Sequence, residues 1–249
     1  MTECSIILPV YNEVNVLKKS IKKIVHEISK ITNDYEIVIA EDGSTDGTAQ
    51  LARQIASKNR KIIHLHSDKR LGKGGSLTKT IRKVNGDIVV VMDIDLSSKL
   101  EYLKKLIENI KLGADISLGS RLMRGSYVRR NLKREIMSRS YNFLIHLFFN
   151  SSVHDHQCGF KAFKKVKVLP LISKIEDKKW FWDTELLVRA QQNDLKIVEF
   201  PIEWEESRSS KINLKRDVIT ISKSLFIFWW KFKKVNISIV LTFIMNGTI

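Results

Sequence analysis

The sequence predicts an α/β protein in which helices cover both faces of a mostly parallel sheet. Two observations predict it. Through residue 119, near-continuous apolar runs alternate with helix-length stretches, and strands buried on both faces read as such runs. Polar and acidic residues, moreover, collect where the runs stop, at the edge of an open parallel sheet where ligands gather.

Each element follows in order. CSIILPV reads as the first strand, with Tyr11, Asn12 and Glu13 at its exit, and the amphipathic stretch from about Glu13 to Lys30 as a helix. YEIVIAED is a second strand closing on Glu41 and Asp42, and Asp46 to Ser57 a second helix. KIIHLHS ends on Ser67 and Asp68 and leads into a helix from Lys73 to Val84. GDIVVVMDID carries Asp93 and Asp95 at its end, the stretch from Lys99 to Leu112 is helical, and ADISLGSR is a fifth strand. After Arg121 the alternation stops. A basic segment, RLMRGSYVRRNLKREIMSRS, precedes an amphipathic helix, YNFLIHLFFN. HDHQCGFKAF reads as a loop entering a strand, WFWDTELLVRAQQ as a helix led by aromatics, and KIVEFPIEW as one more strand. No break in composition separates the halves, so residues 1–224 are expected to form one domain.

Residues 225–249 differ. LFIFWWKFKKVNISIVLTFIMNGTI is densely apolar but interrupted by Lys231, Lys233 and Lys234, and its uninterrupted part is shorter than the roughly 20 residues that span a bilayer. The expectation is an amphipathic segment lying in a membrane interface, with Trp229 and Trp230 at headgroup level and the lysines towards anionic lipid. The alternative is a final helix packed on the core.

The 43 Lys and Arg against 27 Asp and Glu leave a net charge of +16, which favours phosphate-rich partners: nucleic acid, an anionic membrane or phosphorylated small molecules. No nucleic-acid reading module is recognisable. Cys4 and Cys158 lack C-x-x-C partners, so they read as packing residues in a reducing compartment. The start, MTECSIILPVYNE, has an acidic residue where a leader needs a basic one; no signal peptide and folding in the cytoplasm are expected.

A nucleotide diphosphate is held either by a Gly-rich loop at a helix start or by a divalent metal bridging it to carboxylates. The chain has no G-x-G-x-x-G after its first strand, and LGKGGS lacks Walker spacing. Asp93 and Asp95, one residue apart at a strand end, offer hard oxygen ligands suited to Mg²⁺ or Mn²⁺. His154 and His156 flank Asp155 without a third convincing ligand, which argues against zinc there.

The ordered set IILPVYNE, EDGSTDGT, GKGG, DID and GSR resembles the family 2 glycosyltransferases with a GT-A fold. DHQCGFKAF, WFWDTELL and EWEESRSSK narrow the resemblance, over about residues 4 to 215, to the polyprenyl-phosphate glycosyltransferases and especially the dolichyl-phosphate β-glucosyltransferases. The resemblance implies that Pro9, Tyr11, Glu13 and Asp42, with Asp68 as a possible addition, hold the base and ribose of a sugar nucleotide, UDP-glucose foremost. It makes Asp93 and Asp95 the D-x-D pair on the metal. Ser97 stands where the mannose synthases often carry Gln, which weakens a GDP-mannose assignment.

A lipid phosphate acceptor is already anionic near neutral pH and needs no general base. It needs cations, and Arg121, Arg134, Arg208 and Lys211 are the candidates, with Ser138 on the helical face of Arg134. Arg129, Arg130 and Lys133 read as a solvated or membrane-facing stripe. Asp155 and Gln157 are expected to line the sugar site. Asp183 and Glu185 stand where other family 2 enzymes place an acid or base, and with a phosphate acceptor would instead orient the sugar or nearby cations. Trp180 and Trp182 either cover the sugar or lipid or pack in the core. The implied reaction is inverting transfer of a hexose to dolichyl or polyprenyl phosphate at the cytoplasmic membrane face. A hydroxyl acceptor is the alternative and would require a carboxylate base.

Overall fold

The structure is a computed structural model that describes residues 2–206 and 220–233. Its frame is a seven-stranded sheet in the order β3-β2-β1-β4-β7-β5-β8. The strands are β1 (Cys4–Val10), β2 (Tyr35–Asp42), β3 (Ile62–Ser67), β4 (Ile88–Val91), β5 (Ile116–Ser120), β7 (Lys161–Lys164) and β8 (Ile197–Pro201). β6 (Tyr127–Arg129) and β9 (Glu203–Glu205) pair separately as a small parallel ribbon. The α/β expectation holds, with one departure: β7 runs antiparallel between β4 and β5, pairing Val91 with Lys161. That reversal brings the start of β7 to the edge where the parallel strands end.

Alternation along β1 shows how the layers form. Ile6 and Leu8 face one core with Leu17, Ile21 and Ile24 of α1 (Val14–Ile28), Ala52 of α2 (Thr48–Lys58) and Leu103, Leu106 and Ile107 of α4 (Tyr102–Lys111). Ile7 faces the other, with Leu77 and Ile81 of α3 (Lys73–Ile81). Val168 of α6 (Lys165–Ile172) and Trp182 and Leu186 of α7 (Trp182–Gln192) complete that layer. Apolar residues on both strand faces are what a helix-covered parallel sheet requires. Strand order reverses about β1 and β4, and the crevice outside their carboxyl ends is where such sheets bind ligands.

Three expectations in the second half need correction. The helix expected over YNFLIHLFFN begins well before it: α5 runs Leu132–Phe149, capped by Asn131, whose side chain accepts from the Lys133 backbone N–H at 2.9 Å. Glu135, in the helix's first turn, bonds both Arg130 and Arg139 and so ties the segment before the helix to its second turn. KIVEFPIEW is not one strand but two, since the chain leaves β8 at Ile202 and enters the ribbon as β9. α6 forms where no helix was expected, although Pro170 lies inside it.

The helical segment over residues 220–233 crosses position 225. Leu225 and Phe228 bury against Ile145 and Phe149 of α5 and Phe181 and Val188, with the Phe149 and Phe228 rings 5.2 Å apart. Its opposite side exposes Phe226, Ile227 and Trp230. Among the described residues no helix is long and apolar enough to cross a membrane.

Candidate active site

The exits of β1 and β2 are tied together by main-chain donors. The Asn12 side chain accepts from Thr45 N at 2.8 Å, and Glu13 N donates to Thr48 Oγ1 at 2.8 Å. Glu41 Oε1 accepts from Ser44 N at 2.5 Å, closing EDGSTDGT on itself. The buried Asp42 carboxylate accepts from Leu71 N at 2.6 Å and Gly72 N at 2.9 Å. Gly72 has φ +84°, a conformation that glycine adopts without a Cβ penalty, and it brings that N–H to Asp42. Tyr11 lies under the Arg70 guanidinium, 3.8 Å from its ring centre. Tyr11, Glu13 and Asp42 thus lie at neighbouring strand exits, with Pro9 one residue inside the end of β1 beside Ala40 of β2. Asp68 instead stands 96% exposed, its carboxylate against His66.

At β4 the donors change to charged side chains. Leu96, with φ +56°, folds the chain sharply after the D-I-D sequence, a backbone region that costs a residue with a branched side chain. Asp95 accepts from Ser97 N at 3.2 Å inside that turn. Asp93, 48% exposed, accepts from Lys73 Nζ at 2.9 Å. Lys73 in turn lies 3.9 Å from Asp183, which takes Lys161 Nζ at 2.5 Å. Lys161 is 0% exposed, an ammonium that only its partner makes tolerable in the interior. Burial acts to raise the Asp93 carboxyl, but Lys73, with Lys161 and Arg121 farther off, outweighs it and holds the group below its ordinary value.

Arg121, just beyond β5, grips Asp155 with Nε at 2.7 Å, Nη2 at 2.8 Å and its backbone N–H at 3.0 Å. Burial alone would raise the Asp155 carboxyl; the guanidinium and the backbone donor lower it. Arg130 was expected in a solvated stripe, yet its side chain is 4% exposed and its field reaches Asp155, which corrects that assignment. Pairing with Glu135 turns it inward, while Arg129 and Lys133 are exposed as expected.

Two expected carboxylates are already engaged. Asp183 is held by Lys161, and Glu185 accepts from the backbone N–H groups of Glu176 and Asp177 and from Arg189 Nε at 2.9 Å, bracing the loop before α7. Gln157 lies half-buried in the Asp155 loop. Arg134 and Ser138 share α5; Arg134 pairs with Glu206, and the buried Ser138 hydroxyl has no hydrogen-bond partner among the described residues. Arg208 and Lys211 lie outside the described residues. Of the two tryptophans, Trp182 is core, its Nε1 bonded to Thr78 at 2.9 Å, whereas the Trp180 ring lies 5.8 Å from Lys73 Nζ. His154 and His156 turn to different partners, Glu199 and the Ser151–Asn142 pair. The sequence reading missed Lys73 and Lys161 as site residues; the GKGG motif held a signal for the first, and nothing in FKAF marked the second.

The donor set fits a divalent cation. Asp93 is ionised, accessible and hard, and a Cβ on Gly159 would come within 2.1 Å of its Oδ2, so only glycine leaves room beside that carboxylate.

Comparison with known proteins agrees with this frame. Glycosyltransferase AglD of Haloferax volcanii is 38% identical over 92% of this chain, and the chain spans only 37% of that protein's length. Dolichyl-phosphate beta-glucosyltransferase of Saccharomyces cerevisiae is 28% identical over 90% of the chain and 73% of its own length. Dolichyl-phosphate beta-glucosyltransferase ALG5D of Trichomonas vaginalis is 30% identical over 84% of the chain and 68% of its own length. Glucosyl-3-phosphoglycerate synthase from Mycobacterium tuberculosis, solved with uridine diphosphate, shares the fold at a TM-score of 0.67 with 19% identity, over 92% of this chain and 79% of that one. Residues 5–169 match the family described as Glycosyl transferase family 2, and the chain belongs to that family.

Proposed function

We propose that this protein transfers a hexose, glucose from UDP-glucose foremost, to a dolichyl or polyprenyl phosphate with inversion at the anomeric carbon. One observation carries the reading: the cleft is rich in cations, and the carboxylates that a hydroxyl acceptor would need as a base are committed to cations of their own. Asp155 is gripped by Arg121, Asp183 by Lys161 and Glu185 by Arg189. A phosphate acceptor needs no base, because its attacking oxygen is already anionic. Lys73, Arg121 and Arg130 supply the positive field that brings two anionic substrates together. The dolichyl-phosphate relatives support the lipid acceptor.

Asp93 and Asp95 would hold Mg²⁺ or Mn²⁺, which when bound offsets charge on the departing nucleotide. The chain's own residues do the remaining work. Pro9, Tyr11, Glu13 and Asp42 form the rim for the nucleoside, Asp155 fixes Arg121 at the sugar side, and Arg134 and Ser138 face the acceptor from α5. A membrane-surface partner fits the outward stripe of α5, where Leu132, Ile136, Phe143 and Leu147 recur at helical spacing beside exposed Phe226 and Trp230. We accordingly propose action at the cytoplasmic face of a membrane, with residues 234–249, outside those described, continuing the apolar segment.

The test is transfer of radiolabelled sugar from UDP- and GDP-sugars to dolichyl phosphate in anionic vesicles. Labelled lipid from UDP-glucose, reduced at least about 100-fold in Asp93→Asn/Asp95→Asn, is expected. Labelling only from GDP-mannose would overturn the donor. Absence of labelled lipid alongside intact UDP-glucose binding would overturn the acceptor.

A further inference from the structure

A second cluster of metal-binding side chains lies on the far strands of the sheet, where no step of the proposed transfer uses it. Glu41 ends β2, and His64 and His66 lie two apart on neighbouring β3, so both imidazoles fall on one face. One ligand atom from each of the three lies within 4.8 Å of the others. We propose that Glu41, His64 and His66 form a binding site for a zinc-class divalent cation, separate from the Asp93 and Asp95 pair.

The His64 side chain is 8% exposed, and its Nε2 is buried with no hydrogen-bond partner among the described residues, 3.8 Å from Glu41 Oε2. Buried ring nitrogens are rarely left this way, and an ion between the two groups accounts for it. Ligands about 2.0–2.1 Å from a tetrahedral zinc stand about 3.3 Å apart, close to that separation. His66 Nδ1 hydrogen-bonds the same Oε2, and that bond has to open for the ion to take its place.

The surrounding shell is also that of a metal site. Glu41 Oε1 is fixed by Ser44 N, leaving Oε2 to face the imidazoles. The opposite nitrogen of His66, Nε2, meets Asp68 Oδ1 at 3.2 Å, the carboxylate–histidine arrangement that orients a ligating ring. His66 is 38% exposed and gives an ion its way in. Two imidazoles and one carboxylate favour zinc, cobalt or nickel over magnesium, so the two sites differ in the metals they select. An ion here would brace the exits of β2 and β3 beside Asp42.

Metal-free protein of full length, titrated with Zn²⁺ against a chromophoric chelator and with Co²⁺ by visible absorption, tests the site. One equivalent of each is expected to bind, with His64→Ala and His66→Gln each weakening binding at least about tenfold and Asp68→Ala up to about tenfold. The Asp93→Asn/Asp95→Asn variant is expected to bind zinc as the unaltered chain does. Circular dichroism of each variant separates loss of ligand from loss of fold, and exposed His66 is the substitution least able to disturb folding. The proposal falls if no stoichiometric zinc binds, if both histidine variants bind undiminished, or if binding disappears instead with the Asp93/Asp95 change or with His154→Ala.

Discussion

The two sides of the cleft are held in different ways. On the nucleotide side, at the exits of β1 and β2, carboxylates and amides are satisfied mostly by backbone N–H groups, as Asp42 is by Leu71 and Gly72. On the transfer side, at β4, β5 and β7, carboxylates are satisfied by buried or half-buried cations, as Asp93 is by Lys73 and Asp183 by Lys161. A backbone donor comes with the fold and stays neutral, so the first side is a fixed template. A side-chain cation can be withdrawn or shared, so the second can answer to incoming phosphates and metal at the cost of burying charge.

Breaking one pair on each side sharpens that contrast most. Lys161→Met leaves Asp183 buried without its main partner and should cost about 3–5 kcal/mol in urea unfolding, most of it recovered in Lys161→Met/Asp183→Leu. Asp42→Asn keeps one accepting oxygen for two N–H donors and should cost about 1–3 kcal/mol. If the two losses are equal, the distinction between the sides is not energetic.

Gly159→Ala separates function from stability. Its Cβ would meet the end of the Asp93 side chain, which can swing aside, so unfolding free energy should change by less than about 1 kcal/mol. The displaced carboxylate should lower sugar transfer about 100-fold. A comparable loss of stability would show that the Asp93 position is also a structural support.

A pH-dependent effect lies behind the transfer side. His156 is fully buried between Ser151 and Asn142, and burial lowers its pKa to about 3 from 6.5. The unfolded chain therefore takes up a proton between those values that the folded chain refuses. Its contribution is complete above pH 6.5 and is lost as pH falls towards 3, with a slope of up to about 1.4 kcal/mol per pH unit. Stability measured from pH 6.5 to 4 should be flatter by that one-proton slope in His156→Gln. An unchanged slope would mean that the ring already ionises in the folded state.

The apolar runs of the first half determined the sheet, because strands covered on both faces leave near-continuous hydrophobic sequence and their polar exits must then share an edge. EDGSTDGT was legible for a related reason: its acceptors and donors lie within a few residues and close on each other. Only the tertiary structure decided that β7 enters antiparallel, since one four-residue strand looks alike in either direction. The same insertion seats Lys161 beside Asp183 across 22 positions of sequence. Arg130 turned inward for the same reason: a charged side chain's burial is set by the partner it finds in space, and periodicity carries no information about that partner.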